Sequence, residues 1–172
     1  MIDLVEVTSL DALLADAGVS WETGSNFETL YQSIIADASR AALAGRIEKH
    51  LRDYFSAIQI PAEATLYDKL LLSLRPKDFI ATFNWDPLLV QAYKRNRRLK
   101  ELPCILFLHG NVDVGACVEH RRKGFLEHNC SDCGRLFEPT KLLYPVAQKN
   151  YASDPFIAQE WVAFRAALEY AY

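Results

Sequence analysis

Apolar and polar positions recur with a helical period through the first half of the chain. Residues 9–17 form a short apolar-periodic segment closed by Gly18. A longer one opens at Ser25-Asn26-Phe27-Glu28, where the serine is expected to serve a backbone N–H and the glutamate to reach back, as in a capping box. Leu30, Ile34, Ile35 and Ala38 follow at helical spacing, and Gly45 is expected to interrupt the helix. Ile47, Leu51, Tyr54 and Phe55 then carry a second helical face as far as Pro61. Thr65 and Asp68 make another capping box, leading into Leu66, Leu70, Leu71 and Leu74.

After Arg75-Pro76 the pattern changes. The runs Phe79-Ile80-Ala81-Thr82-Phe83 and Ile105-Leu106-Phe107-Leu108 are nearly continuous rather than alternating, the signature of strands covered on both faces. Between them Pro87 to Asn96 reads as a helix, with proline suited to its first turn. Strand, helix, strand with short joints is a βαβ unit. Leu142-Leu143-Tyr144 reads as a third, shorter strand. The segment from Asp154 to Tyr170 reads as a helix with Phe156, Ile157, Trp161, Phe164 and Leu168 on one side, most simply as core packing. The pattern predicts one α/β domain over residues 1–172, a parallel sheet flanked by helices.

Composition narrows the function classes. With 51% apolar and 24% charged residues in a chain of 172, this is an ordinary globular composition, long enough for one domain with a real core. A net charge of −3 argues against a protein whose main work is to hold nucleic acid or an anionic membrane, while leaving room for a local basic patch. No apolar run approaches the roughly 18 residues of a membrane span. The first residues have no basic stretch ahead of an apolar one, so no signal peptide is expected and the cytoplasm is the expected location. Four cysteines then read as thiols or metal ligands rather than disulfides.

Three groups of residues carry candidate chemistry. Thr82-Phe83-Asn84-Trp85-Asp86 follows a predicted strand, where ligands sit in open α/β sheets, and Asn84 and Asp86 can present an amide and a carboxylate there. The competing reading is that one of them caps the next helix. Leu108-His109-Gly110-Asn111 follows the second strand. His109 has the chemistry of a general base near neutral pH, and Gly110 permits a sharp turn or a close ligand approach. Cys117-x-x-His120 and Cys130-x-x-Cys133, nine residues apart, have the ligand types and spacing of a structural zinc site with no open position. His128 is a possible substitute for His120, and reduced thiols without metal are the alternative. Cys104, inside a predicted strand, is expected to be buried filler. Five cations in the seven residues 94–100 read as a solvated helix terminus, with a nucleic-acid contact as the alternative.

The order of these motifs resembles the sirtuin-like family of NAD-consuming proteins. TFNWD at 82–86, LHG at 108–110, CVEH…CSDCGRLFEP across 117–139 and KLLYPVAQKNY at 141–151 are similar to that family's successive elements, over roughly residues 66–160. The resemblance implies a partial doubly wound, Rossmann-like sheet with a small zinc-ribbon insertion at 111–140. It implies that Thr82, Asn84, Trp85, Asp86, His109 and Gly110 bind NAD, with Asn84 and His109 catalytic and His109 the base on a ribose hydroxyl. It implies that Cys117, His120, Cys130 and Cys133 hold structural zinc. Trp85, where deacylases carry a small aliphatic residue, points to the divergent bacterial branch that hydrolyses NAD in anti-phage defence. The alternatives are a non-catalytic zinc-stabilised interaction module and an NAD-dependent protein-lysine deacylase. The family's glycine-rich pyrophosphate turn and late glycine-serine strand have no counterpart in this sequence, so catalysis is expected to require a missing segment or a protein partner.

Overall fold

In the computed structural model, residues 4–144, 146 and 150–170 are described. The chain divides into two compact units, residues 1–57 with 144–149, and residues 58–143 with 150–172.

The first unit is helical. Helices α1 (Leu4–Val7), α2 (Leu10–Asp16), α3 (Phe27–Ala36) and α4 (Ala41–Ala57) gather Val5, Leu10, Leu14, Ile34, Ile47 and Leu51 into one apolar core. The entry to α3 differs from the expected capping box. Asn26, not Ser25, is the cap, and its side-chain oxygen accepts from the Glu28 N–H at 2.9 Å. Asn and Ser are near-equal caps, so sequence alone does not rank two adjacent candidates. Gly45 does not interrupt α4 either. The break falls earlier, at Asp37, whose carboxylate accepts from the Ser39 N–H and opens a 3-10 turn over Ala38–Arg40. A mid-helix glycine costs only about 1 kcal/mol, and burial of Leu43, Ala44, Ile47 and Leu51 outweighs it.

The second unit is α/β. Strands β1 (Phe79–Thr82) and β2 (Cys104–Phe107) pair parallel and in register, Phe79 against Cys104 and Thr82 against Phe107. Helices α5 (Leu66–Ser73), α6 (Leu88–Asn96) and α7 (Pro155–Glu169) flank them. The parallel βαβ unit agrees with the sequence pattern. Its burial is uneven: Ile105 to Phe107 are buried, whereas all four β1 residues are half-buried. Cys104, expected inside, is exposed, because it is the first residue of β2 and precedes the buried stretch. On α5 only Leu71 of the apolar positions is fully buried, and Leu66 is 81% exposed. Residues 142–144 are not a strand; the Leu143 N–H donates to the His109 carbonyl at 2.9 Å. Helix α7 is capped by Asp154 and contributes Phe156 and Ile157 to the core, while Leu168 faces solvent.

One ion pair fixes α7 to both sheets. The Glu160 carboxylate, 2% exposed, accepts from the Phe107 N–H at 2.7 Å and from Lys123 Nζ at 2.7 and 2.8 Å. Lys123 also donates to the Ile105 carbonyl. Among the described residues, no helix is long and apolar enough to cross a membrane.

A second, antiparallel sheet has the order β4-β3-β5, from β3 (Val114–Cys117), β4 (Arg122–Phe125) and β5 (Glu138–Pro139). Gly115 and Gly124 face each other in the register, and Phe137 lies over both. A β-carbon on Gly124 would stand 2.3 Å from the Phe137 ring. Gly124→Ala is therefore expected to destabilise the second unit by about 1–3 kcal/mol through overpacking, read as a lower urea midpoint with an unchanged slope.

Candidate metal centre and strand-tip site

The metal candidate is assembled from two local turns. Cys117 ends β3 and pairs with Arg122 across the β3–β4 hairpin, so the connecting turn carries His120 back beside it. Arg121 closes that turn in the left-handed region, at φ 50°. The second turn is the Cys130–Cys133 knuckle. The Gly134 N–H donates to the Cys130 carbonyl at 2.8 Å, and the Cys130 N–H donates to the Arg135 carbonyl at 2.7 Å. Gly134, at φ +73°, supplies the left-handed residue that this tight turn needs. Local hydrogen bonding thus presents both thiols on one side.

The four ligand atoms of Cys117, His120, Cys130 and Cys133 lie within 4.8 Å of one another. Cys117 Sγ is 3.4 Å from His120 Nδ1 and 3.9 Å from Cys133 Sγ. A tetrahedron built on ordinary Zn–S and Zn–N bonds has edges of roughly 3.8 Å between sulfurs and roughly 3.6 Å from sulfur to nitrogen. The donor set therefore fits zinc in chemistry and in spacing, and His120 rather than His128 is its fourth member. The His128 ring instead makes an edge contact with Phe125 at 5.3 Å. Cys117, Cys130 and Phe137 pack as a small apolar cluster of their own. Around it, Arg122 pairs with Asp132 at 2.9 Å, and Arg135 pairs with Glu119.

The two strand-tip motifs are neighbours because β1 and β2 are adjacent, parallel and in register. The Leu108 N–H donates to the Thr82 carbonyl at 2.9 Å, extending that pairing past the strands. Phe83 and His109 then meet edge to face, with centroids 4.7 Å apart. Tyr151 stacks on His109 at 5.9 Å, and Trp161 closes the group at 4.6 Å from Tyr151 and 6.1 Å from Phe83. Trp161 Nε1 donates to the Leu108 carbonyl at 3.1 Å, which orients the indole. Trp161 is thus more than core packing: it is part of the wall around His109.

The polar candidates take other places. Asp86 Oδ1 accepts from the Leu88 N–H at 3.0 Å, so the helix-cap reading describes its carboxylate. The Thr82 hydroxyl accepts from the Asn84 N–H at 3.1 Å. The Tyr67 phenol of α5 is raised above its ordinary value first by burial and then by the Asp86 charge, with Asn84 acting in the opposite sense. The Trp85 carbonyl accepts from the Val112 N–H at 3.0 Å. Gly110 has φ +78°, and the space beside it is filled by the chain itself: a β-carbon there would stand 2.0 Å from the Lys141 carbonyl oxygen.

Sequence reasoning assigned no role to Asn111, which is 1% exposed. Its Nδ2 donates to the Asp86 carbonyl at 2.6 Å and the Asn84 carbonyl at 3.4 Å, while its Oδ1 accepts from the Asp113 N–H. Its backbone exchanges hydrogen bonds with the Thr140 hydroxyl, at 3.0 and 3.3 Å. One amide therefore holds the tip of β1, the tip of β2 and the start of the ribbon.

The basic run is largely engaged within the fold. Lys94 pairs with Asp113 at 2.8 Å, Arg95 pairs with Asp68, and Lys100 donates to the carbonyls of Leu72 and Leu74. No family model, curated protein or solved structure matches this chain.

Proposed function

We propose that the chain is a zinc-stapled α/β module of the sirtuin-like, NAD-consuming kind. The observation that carries this reading is the convergence of Cys117, His120, Cys130 and Cys133 within 4.8 Å, in the part of the chain where the motif order requires a ribbon. Four protein ligands leave the ion no open position, so its work is structural: it would hold the knuckle on the β3–β4 hairpin.

The cofactor reading rests on the strand tips. Adjacent parallel strands end in Phe83-Asn84 and His109, the crevice position at which open α/β sheets take ligands. Phe83, 52% exposed, and the rings around His109 offer apolar faces suited to a nicotinamide. When bound, NAD would supply the labile bond between nicotinamide and ribose. His109 would take the proton of the attacking hydroxyl or water, and Asn84 would orient the ribose through its amide. In this reading the sheet is the central part of a doubly wound fold, and Thr82, Trp85, Asp86 and Gly110 shape the tips. Calorimetric titration with NAD is the test. Saturable heat that His109→Ala weakens at least tenfold supports the reading, and the absence of heat from zinc-loaded protein discards it.

A specific observation favours a second reading, that of a non-catalytic zinc-stabilised interaction module. The Asp86 carboxylate is committed to the α6 cap, and the carbonyls of Asn84 and Asp86 are held by Asn111. On this reading NAD gives no heat while zinc remains stoichiometric.

A further inference from the structure

A cleft of about 570 Å³ lies between β2 and the β3–β4 hairpin, lined along β2 from Cys104 to Phe107, and none of the strand-tip residues Thr82 to Asp86, His109 or Gly110 lines it. Its volume is that of a small-molecule site. The interior is apolar, built from Ile105, Phe107 and Val114. Arg97, Arg122 and Lys123 line it, and no Asp or Glu does. Two of these cations are already neutralised, Arg122 by Asp132 and Lys123 by Glu160. Arg97 differs: among the described residues it pairs with no carboxylate. Its guanidinium is held 5.1 Å above the centre of the Phe125 ring, a cation–π contact that positions it without consuming its charge. Asn129 and Ser131, beside and within the knuckle, add polar groups to the lining.

An apolar interior with a single uncompensated cation at its edge selects a flat apolar body with one negative charge. We propose that this cleft binds a small aromatic anion, its ring in the apolar interior and its carboxylate or phosphate on Arg97. A fork of guanidinium N–H donors matches either oxyanion in a bidentate pair. Neutral aromatics gain only the burial, and inorganic anions only the charge. The site shares no lining residue with the proposed NAD pocket and its proposal does not depend on that reading.

The test uses the full zinc-loaded chain, titrated with phenyl phosphate, 2-naphthoate, 2-naphthol and inorganic phosphate. At least one aromatic anion should bind, with 2-naphthol and inorganic phosphate at least tenfold weaker. Phenyl phosphate and naphthoate distinguish the two oxyanions. Arg97→Gln, at an exposed position, should weaken the aromatic anion about tenfold and leave the urea midpoint unchanged. A second readout needs no variant: exposed Cys104 lines the same cleft, so saturating ligand should slow its alkylation by N-ethylmaleimide, located by peptide mass. Failure of every aromatic anion, equal binding of 2-naphthol, indifference to Arg97→Gln, or unprotected Cys104 each overturns the proposal.

Discussion

Replacing Cys130 by Ser should abolish stoichiometric zinc and leave the Cys130–Gly134 knuckle disordered. Cys130 is 2% exposed, and its N–H and carbonyl form the knuckle that sets Cys133 beside Cys117. Serine keeps the volume but offers no thiolate, and a hard hydroxyl is a poor substitute for a soft sulfur on zinc. Binding free energy at such sites is folding free energy, on the order of 10 kcal/mol for small zinc modules. The knuckle packs in a small apolar cluster of its own, Cys117, Cys130 and Phe137 with Cys133 against it. Strands β3 and β4 are also held by Val114, Ala116 and Phe125 on the main core and by the Lys123–Glu160 pair, so loss of the metal acts first on the knuckle. Elemental analysis should give one zinc per wild-type chain and none for Cys130→Ser, with new protease cleavage inside residues 111–140. Cys104→Ser, outside the cluster, should keep its zinc. A folded, protease-resistant wild-type ribbon containing no metal would refute the centre.

The second large effect is expected at Asp68, the buried carboxylate that joins α5 to α6. It is 4% exposed and accepts from Arg95, from Asn96 Nδ2 at 2.6 Å, and from the N–H and hydroxyl of Thr65, both at 2.6 Å. Asp68→Ala removes the acceptor and leaves the Asn96 amide buried with fewer partners, and it leaves Arg95 with the Pro61 and Glu63 carbonyls but without its carboxylate. Removing one side of such a buried network costs about 3 kcal/mol, and urea unfolding at neutral pH should show the loss. The same network sets a pH dependence. Hydrogen bonds from Arg95 foremost, then those from Thr65 and Asn96, outweigh the burial that opposes them and hold the Asp68 carboxyl well below the usual carboxylate range. A carboxyl lowered in the folded state adds stability that is complete above its unfolded value, near about 3.9, and is lost as pH falls below it. Acid unfolding of the wild type should therefore be steeper below about pH 4 than that of Asp68→Asn. Equal slopes would show that Asp68 keeps its proton equilibrium on folding.

What could be read from the sequence follows the range over which each feature is determined. The Thr65–Asp68 capping box, the βαβ order and the Cys130–Cys133 knuckle are each fixed within a few residues, and each is found where the pattern places it. The pairing of the knuckle with Cys117 and His120 was legible for a related reason: metal spacing encodes a long-range contact in short-range notation. Burial was less legible. A strand's first residue reads like its third, yet Cys104 is exposed and Leu106 is buried. Asn111 was not legible at all as an organiser. Its partners at Asn84, Asp86 and Thr140 lie 25 to 29 residues away, and an asparagine after a glycine reads as a turn. Tyr67 was hidden similarly, since nothing in α5 announces a side chain that reaches the tip of β1.

The Asn111 amide also has a thermodynamic consequence. Because one buried side chain holds the β1 tip while its own backbone leans on Thr140 beside β5, the two regions cannot loosen independently. A zinc ion held by Cys117, His120, Cys130 and Cys133 would, by ordering the β3–β5 pairing beside Thr140, also favour order at residues 84–86, some forty positions upstream.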